Sequence, residues 1–238
     1  DTGADINHID LKDNLWDGGD EFPNHGYNTY EDNHNINDGF GHGTHCAGII
    51  CGNGTSGTQT GIAPDATIMV VKVMDDGGYG GASGICSGME FSLEHGADLF
   101  NMSLGIPNAS VSAKELLRNS CINTMQAGIA ATVAVGNEGQ LQISFPVPRN
   151  VRTPGACPPP WIHPDQESNI GGTSCCIAVG AVDFNNNHAP FSSNGPVTWE
   201  ETSFGDYPYE PGIGLIRPDV CAPGVGILSA DPFNSNGH

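Results

Sequence analysis

The chain alternates between short, continuous apolar runs and longer segments in which apolar residues recur every three or four positions. The runs are rich in β-branched residues, which is typical of strands buried on both faces of a sheet. These predicted strands are residues 67–74, 99–104, 129–135, 176–182 and 220–222. Segments 82–94 and 112–127 carry apolar residues on one face at helical spacing, so they predict amphipathic helices.

The second predicted helix has signals at both ends. Ser112 and Glu115 have the spacing of a capping box, and Gly128 stands where a C-terminal cap is expected. The resulting order of strand, helix, strand, helix and strand indicates an α/β fold with a parallel sheet covered on both faces.

Two segments interrupt this alternation. Residues 144–170 contain many prolines, and residues 197–216 carry Trp199 and Tyr207 among acids and prolines. We interpret both as long loop insertions in a single domain that spans residues 1–238. They either form ordered surface loops, or line a substrate groove or bind a partner.

The charge balance excludes several kinds of partner. With 7 Lys and Arg against 27 Asp and Glu, the formal net charge is −20. So few cations cannot form a footprint for nucleic acid or dock on an anionic membrane. No apolar run reaches the roughly 18 residues of a membrane-spanning helix, and the first residues do not have the regions of a secretion signal. The 8 cysteines fall largely within apolar runs, which predicts mostly buried thiols.

Ligand sites in parallel α/β sheets form beyond the carboxyl ends of the strands. The segments that follow the predicted strands are mostly rich in glycine, and they are residues 75–81, 103–105, 136–139 and 222–224. None has the spacing of a phosphate-binding loop, so nucleotide binding is excluded as a function.

A histidine between two glycines, His42, opens a segment that is predicted to be helical. The glycines allow another chain to approach the imidazole, which is either a packed structural group or a catalytic base with a carboxylate partner. A zinc site would draw on His42, His45, Cys46 and Cys51. It is disfavoured because His42 and Cys46 share a helical face that His45 does not. A nucleophilic Cys46–His42 pair is disfavoured because one helix would have to present both groups to one substrate.

Three motifs follow one another along the chain. They are Asp1-Thr2-Gly3, His42-Gly43-Thr44-His45-Cys46-Ala47-Gly48 and Val135-Gly136-Asn137-Glu138-Gly139. Supporting segments are residues 101–105, 178–183, 191–196 and 217–224. The ordered set resembles that of the subtilisin-like serine peptidases, or subtilases, over nearly the whole chain. This resemblance implies a three-layer sandwich with a mainly parallel, doubly wound sheet.

The resemblance also implies a role for each motif. Asp1 would accept the Nδ1 proton of His42, His42 would serve as the base for a serine, and Asn137 would donate to the oxyanion. An extended substrate would add as a strand between Ser103-Leu104-Gly105 and Gly78-Tyr79-Gly80. One wall of the pocket for the residue before the scissile bond would be formed by Ala134, Val135 and Gly136.

The sequence departs from the family pattern at both ends. The family's nucleophile lies in a Gly-Thr-Ser-Met-Ala-like motif after the Ala-Pro-Gly segment, and no such motif follows Gly224. Gly172-Thr173-Ser174 is no substitute, because the strand-like run 176–182 follows it where a helix should begin. We therefore expect a catalytic domain that lacks its N-terminal strand and its C-terminal nucleophile helix. We also expect this chain to be inactive by itself.

The expected parent protein is a serine endopeptidase with an Asp-His-Ser triad and an acyl-enzyme, its nucleophile lying beyond His238. The alternatives are a catalytically dead pseudopeptidase that binds or signals, and a calcium- or partner-binding surface module. The expected partners are polypeptide substrates and an inhibitory propeptide or the remainder of the same protein. The acidic composition and the resemblance favour a secreted or cell-surface location.

The expected chemistry needs no cofactor, and calcium is the structural ion that the resemblance suggests. Asp10 occupies the place of a family calcium ligand, and the loop after the predicted helix of His42 offers further oxygens. The candidate ligands are Asp10, Asn53, Thr55, Gly57 and Gln59. Thr55 stands where the family usually has Asn, so a purely structural loop is an equal alternative.

Overall fold

The computed structural model describes residues 1–57, 60–161, 171–209 and 214–233. The chain divides into two compact units. The first contains Asp1–His95 and the segment that begins at Leu228, and the second is Gly96–Ile227. Each unit combines parallel strands with helices, as expected of an α/β fold.

The first unit contains β1 (Gly26–Asn28), α1 (His42–Cys51), β2 (Val70–Lys72) and α2 (Ala82–Glu94). β1 and β2 pair in parallel, and α2 has the predicted bounds. The strand predicted over residues 67–74 is shorter, because Ile68 pairs with a loop instead. Its amide donates to the Asn14 carbonyl and its carbonyl accepts from the Trp16 amide, both at 2.8 Å.

Helix α1 is fixed to the core of the first unit by one face. Ala47 and Cys51 are buried together with Leu11 and Ala230. His42 lies at the other end of the helix, where its side chain is 42% exposed. The packing thus holds the helix firmly while its first residue remains accessible.

The second unit contains β3 (Leu99–Met102), α3 (Val111–Gln126), β4 (Ala130–Ala134), β5 (Cys176–Val182) and β6 (Val220–Pro223). The four strands form one parallel sheet in chain order. The predicted start of α3 is wrong, because Ser110 rather than Ser112 caps the helix and accepts from the Ala113 amide. Glu115 does not complete a capping box and accepts from the Ser203 amide at 2.6 Å.

Burial on both faces is a wrong prediction for β3, β4 and β6. Phe100 and Val133 are buried, whereas Leu99 is 63% exposed and Thr132 lies on the surface. Val220 in β6 is 47% exposed. Successive side chains point to opposite faces of a strand, so the described residues cover one face of β3 and β4, whereas all four residues of β6 are exposed.

The two predicted insertions are anchored by buried aromatic side chains. Trp199 is completely buried, and its indole N–H donates to the Ala156 carbonyl at 3.0 Å, which joins the two segments. Tyr207 is 4% exposed and donates to the Gly172 carbonyl at 2.8 Å. These aromatic groups therefore belong to the packing of the second unit.

All eight cysteines lie in described residues, and none of them forms a disulfide. Five are buried, which confirms the prediction of mostly buried thiols. Within the described part of the chain, no helix has the length and apolar character needed to cross a membrane.

Candidate active site

Asp1 and His42 are joined by a short hydrogen bond in the first unit. His42 Nδ1 lies 2.7 Å from Asp1 Oδ1. Asp1 runs beside β2, where its nitrogen donates to the Val71 carbonyl and its carbonyl accepts from the Val73 amide, each at 2.9 Å. The backbone on both sides of Lys72 therefore sets the position of the carboxylate.

The direction of this hydrogen bond fixes the tautomer of His42. An ionised carboxylate only accepts, so Nδ1 carries the proton and Nε2 remains able to take another. The Asp1 side chain is 18% exposed, and its Oδ2 is buried without a hydrogen-bond partner among the described residues. A positive charge on the imidazole would compensate this carboxylate, so the pair favours the protonated ring.

The pKa of His42 is raised above its ordinary value of 6.5. Contact with the Cys46 thiol is the main cause, burial opposes it, and the negative charge of Asp38 adds to the rise. Cys46 Sγ lies 3.8 Å from His42 Nδ1, one turn further along α1. The prediction that these two residues share a helical face is therefore confirmed.

A buried carboxylate, Asp38, joins the two segments that carry Asp1 and His42. Its Oδ1 accepts from the Thr2 hydroxyl and the Gly41 amide, both at 2.8 Å. Its Oδ2 accepts from the Thr44 amide at 2.8 Å and from the Thr44 hydroxyl at 2.7 Å. Although burial alone would raise it, these hydrogen bonds hold the pKa of Asp38 below its ordinary value of 3.8.

Two glycines allow the segment of Asp1 and the start of α1 to touch. A Cβ on Gly43 would lie 2.0 Å from the Gly3 carbonyl oxygen, and the Gly43 amide donates to the Thr2 hydroxyl at 3.0 Å. Gly3 has φ of +117°, a conformation that L side chains rarely adopt. The glycines of both sequence motifs are thus needed for close approach.

A buried lysine, Lys72, forms hydrogen bonds with the segments around Asp1 and Asp38. It is 3% exposed, and its ammonium donates to the carbonyls of Thr2 and Asn37 and to the carboxylate of Asp76. A buried ammonium is tolerated only when its donors are satisfied. Lys72 therefore links the neighbours of Asp1 and Asp38.

Asn137 stands on a tightly bonded loop at the end of β4 in the second unit. The residue is exposed, and its side-chain amide makes no hydrogen bond within the described residues. Its backbone amide donates to Glu138 Oε2 at 2.9 Å. Gly136 has φ of +109°, and a Cβ there would lie 2.5 Å from the same carboxylate oxygen. The loop thus leaves the Asn137 side chain available to bind another group.

Glu138 and Arg152 hold this loop in place. The Glu138 side chain is 5% exposed, and Arg152 Nη2 donates to its Oε1 at 2.6 Å while Arg152 Nε contacts both oxygens at 3.0 Å. The Ser193 hydroxyl donates to Oε2 at 3.2 Å. The buried carboxylate is therefore fully paired.

The predicted groove segments lie at strand ends in the two units. In the second unit, Ser103, Leu104 and Gly105 directly follow β3, and Ala134 is the last residue of β4, with Val135 and Gly136 directly after it. In the first unit, Gly78, Tyr79 and Gly80 form a turn after β2, with Tyr79 75% exposed. Asp75 closes this turn by accepting from the amides of Gly77 and Tyr79 at 2.9 Å.

A profile of the Subtilase family matches residues 1–237. The chain belongs to the subtilase family. Subtilisin DY of Bacillus licheniformis is 31% identical over 235 residues, which cover 99% of this chain and 66% of that protein. Subtilisin E of Bacillus subtilis (strain 168) is 32% identical over 237 residues, which cover 100% of this chain and 48% of that protein. The resemblance found in the motifs is therefore confirmed.

This subtilase chain spans between about half and two thirds of the length of these relatives. Among solved structures, a cold adapted subtilisin-like serine proteinase matches it with a TM-score of 0.66 at 23% identity. That match covers 100% of this chain and 64% of the other. The predicted class, a subtilisin-like α/β fold, is confirmed.

The zinc set that the sequence disfavours for the subtilase histidine motif does not come together in the described residues. The ligand atoms that lie within 4.8 Å of one another belong to Asp1, His42 and Cys46, without His45 or Cys51. His42 Nδ1 is already bonded to Asp1. The geometry of the pair thus agrees better with the catalytic-base interpretation than with a metal site.

The calcium interpretation of the loop near Asp10 stays a prediction. Both Asp10 oxygens accept from Ser56, at 2.7 Å from its amide and 2.5 Å from its hydroxyl. Asn53 Oδ1 accepts from the Thr55 amide at 3.0 Å. Gly57 donates its amide to the Gly54 carbonyl, and Gln59 lies outside the described residues. The Asp10 and Asn53 side-chain oxygens thus accept hydrogen bonds within the loop, and a calcium ion would compete with these donors for them.

Sequence reasoning missed four residues that build this site. They are Asp38, Lys72, Glu138 and Arg152. A charged residue inside an apolar run signals a buried ion, and Lys72 had that signal. Asp38 stands four positions before His42, close enough to cap its helix, but nothing in its local sequence distinguishes it from other loop acids.

Proposed function

We propose that this chain is the part of a subtilisin-like serine endopeptidase that carries the acid, the base and an oxyanion donor. The observation that carries the proposal is the hydrogen bond of 2.7 Å between Asp1 and His42 Nδ1. The nucleophilic serine is proposed to lie outside residues 1–238. Membership of the subtilase family and the greater length of its relatives support this.

The roles follow from the proton positions. Asp1 keeps the Nδ1 proton of His42, so Nε2 takes the proton from the serine hydroxyl as that oxygen attacks the peptide carbonyl. The imidazolium that forms is stabilised by the Asp1 carboxylate, and it then gives its proton to the leaving amine. In the second half of the reaction, His42 takes a proton from water as the water oxygen attacks the acyl-enzyme. His42 then returns the proton to the serine oxygen, which releases the carboxylic acid product.

Asn137 is proposed as the oxyanion donor, because its side-chain amide is exposed and uncommitted on a firmly held loop. Glu138 and Arg152 are proposed as positioning residues for that amide. The proposed substrates are polypeptides in extended conformation, which the backbone groups after β3 and β4 would bind. Residues Ser103-Leu104-Gly105 and Ala134-Val135-Gly136 supply these groups, with Gly78-Tyr79-Gly80 as a further binding segment.

The proposed setting is secreted or cell-surface, with an inhibitory propeptide or the remainder of the same protein as partner. The acidic composition, with a net charge of −20, supports a well-solvated protein. Recovery of the parent protein from culture medium or the cell surface, rather than from the cytosol, tests this part.

The decisive experiment uses the parent protein that contains residues 1–238 together with its downstream sequence. A fluorophosphonate probe should label one serine beyond His238, and peptide hydrolysis should be lost in His42→Ala. A matched variant, His34→Ala, removes an exposed histidine of the same unit and should keep both activities. A correctly folded parent that neither reacts with the probe nor hydrolyses peptides would identify a pseudopeptidase instead.

The isolated chain gives a second test. Residues 1–238 alone should not be labelled at any serine, because no motif of the nucleophile type occurs in them. Time-dependent labelling of Ser174, Ser192 or Ser193 in the isolated chain would overturn the proposed location of the nucleophile.

A further inference from the structure

We propose that Cys121, Cys157 and Cys176 form a zinc-binding site in the interior of the second unit, with the Cys175 thiol beside it. Nothing in the peptidase chemistry uses these residues. Their spacing along the chain matches no common zinc motif, so only the fold brings them together.

The three thiols come from three separate segments. Cys121 lies on α3, Cys157 follows in a loop, and Cys176 is the first residue of β5. Their sulfur atoms all lie within 4.8 Å of one another, and Cys121 Sγ is 3.3 Å from Cys176 Sγ. All three residues are completely buried. The cluster is therefore a compact set of soft ligands shielded from solvent.

These separations suit a shared ion better than a single covalent bond. Zinc binds thiolates at about 2.3 Å, which puts tetrahedral sulfur ligands about 3.8 Å apart. A disulfide would bring only two of the sulfurs to about 2.05 Å and leave the third without a role. Small movements of three side chains would place three thiolates around one ion and leave the fourth tetrahedral position for a further ligand.

The backbone around the cluster is held independently of any ion. The Cys175 amide donates to the Cys121 carbonyl at 3.1 Å, and the Ser174 hydroxyl donates to the Pro158 carbonyl at 2.5 Å. Arg217 Nη2 donates to the Cys157 carbonyl. The three ligand-bearing segments are thus fixed to one another before the ion binds, which lowers the entropic cost of binding.

Two buried guanidinium groups lie on or contact the segments that carry the cluster, since Arg118 shares α3 with Cys121 and Arg217 donates to the Cys157 carbonyl. The side chains of Arg217 and Arg118 are 0% and 1% exposed, and they pair with Asp219 and Asp206. Arg118 lies one helical turn before Cys121, and its buried Nε has no hydrogen-bond partner among the described residues. Its uncompensated donor would stabilise the negative charge of a zinc–thiolate centre.

Each cysteine of the cluster must lose its proton to bind zinc, because the thiolate is the metal ligand. Binding of Zn²⁺ would displace three protons as three thiols become three thiolates. Three S–H bonds are replaced by three Zn–S bonds, the protons pass to solvent and no electron is transferred, so the step needs no oxidant.

The test uses the full 238-residue chain, reduced and stripped of metal with a chelator. Titration with Co²⁺ should give one equivalent with thiolate-to-cobalt charge-transfer absorption and the visible bands of a tetrahedral site, which added Zn²⁺ should abolish. Protons should be released into a weakly buffered solution in the same titration. An intact wild-type chain without these bands overturns the proposal.

Single-cysteine variants identify the thiols that bind the metal ion. Cys121→Ser and Cys176→Ser should lose stoichiometric cobalt binding. Cys51→Ser removes a buried thiol of the other unit and Cys46→Ala removes the thiol next to His42, so both should keep it. Loss of the bands in Cys46→Ala alone would move the site to Asp1 and His42 and overturn the proposal. If a cluster variant fails to fold, Cys46→Ala and Cys51→Ser still decide, because stoichiometric cobalt binding in both supports the cluster and its loss in either overturns the proposal.

Discussion

Asp38 holds Thr44 by two hydrogen bonds to a single carboxylate oxygen, from its amide at 2.8 Å and from its hydroxyl at 2.7 Å. The other oxygen of Asp38 binds the Thr2 hydroxyl at 2.8 Å. Thr2 follows Asp1 in the chain, and Thr44 lies two residues after His42. One buried anion thus sets the distance between the two members of the proposed catalytic pair.

The substitution Asp38→Asn should destabilise the chain and loosen the Asp1–His42 hydrogen bond. Asparagine keeps one acceptor oxygen but turns an NH₂ group toward the donors of Thr44 or Thr2, which leaves buried donors unpaired. We expect a loss of about 1–3 kcal/mol in the free energy of unfolding. Urea denaturation of Asp38→Asn measures it, and Asp13→Asn, an exposed acid of the same unit, should change stability by less than about 0.5 kcal/mol.

The same carboxylate predicts a pH dependence with a definite sign. The pKa of Asp38 is lowered in the folded chain, so its ionised form contributes stability above its ordinary value of 3.8. That contribution should be lost as the pH falls through the lowered folded pKa. Between about pH 5 and pH 3 the wild type should therefore lose more stability than Asp38→Asn does. An equal loss of stability in the wild type and in Asp38→Asn over this pH range would contradict the prediction.

Gly43→Ala should separate α1 from the segment of Asp1. The new Cβ would lie 2.0 Å from the Gly3 carbonyl oxygen, and the backbone atoms on both sides cannot rotate away. Overpacking of this kind costs about 1–3 kcal/mol. The matched control is Gly84→Ala in α2, where the nearest atom would be 3.5 Å away. It should be neutral or stabilise by up to about 1 kcal/mol, and equal effects in thermal unfolding would refute the argument.

The contrast between Asp1 and Asp38 shows how far the sequence could predict this site. Asp1, His42 and Asn137 stand in motifs whose order identifies the family, so the sequence names all three as candidates. Asp38 contacts Thr2, 36 positions before it, and Thr44, 6 positions after it. No local sequence pattern predicts such contacts.

Strand positions were predictable from apolar runs, but burial was not. Leu99 belongs to such a run and is 63% exposed, because the described residues pack on only one face of its strand. Hydrophobic runs record strand propensity, whereas burial depends on the layers that cover the sheet. The cysteine cluster is a further example, since its members lie on α3, in a loop and on β5 and meet only in the folded chain.

Cys46→Ala should lower the pKa of His42. The Cys46 thiol is the main cause of the raised value, and removing it leaves burial to act against the protonated ring. Titration of the His42 ring signals by NMR in the full chain should therefore move to lower pH. Cys86→Ala on α2 is the control and should leave the titration unchanged.

The raised pKa of His42 also determines how the stability of the folded chain depends on pH. The raised pKa stabilises the folded chain at pH values below the ordinary value of 6.5, and this contribution is lost as the pH rises through the folded pKa. Cys46→Ala should reduce that dependence. An unchanged or raised pKa of His42 in Cys46→Ala would contradict the assignment of Cys46 as its main cause.

Arg152→Met should disturb the Asn137 loop much more than the same change at Arg149. Methionine keeps the aliphatic packing of Arg152 but leaves the Glu138 carboxylate, 5% exposed, without its cation. Losing a charged partner from a buried acceptor costs about 1–3 kcal/mol. Arg149 is 58% exposed and lies 3.9 Å from Glu201, so Arg149→Met should cost less than about 1 kcal/mol. Urea denaturation compares the stability of the two variants.

Arg152→Met should also lower kcat for peptide hydrolysis in the parent protein, because Glu138 accepts a hydrogen bond from the Asn137 backbone amide and so holds the residue in place. Equal destabilisation by the two variants, with kcat unaffected, would remove Glu138 and Arg152 from the positioning of Asn137.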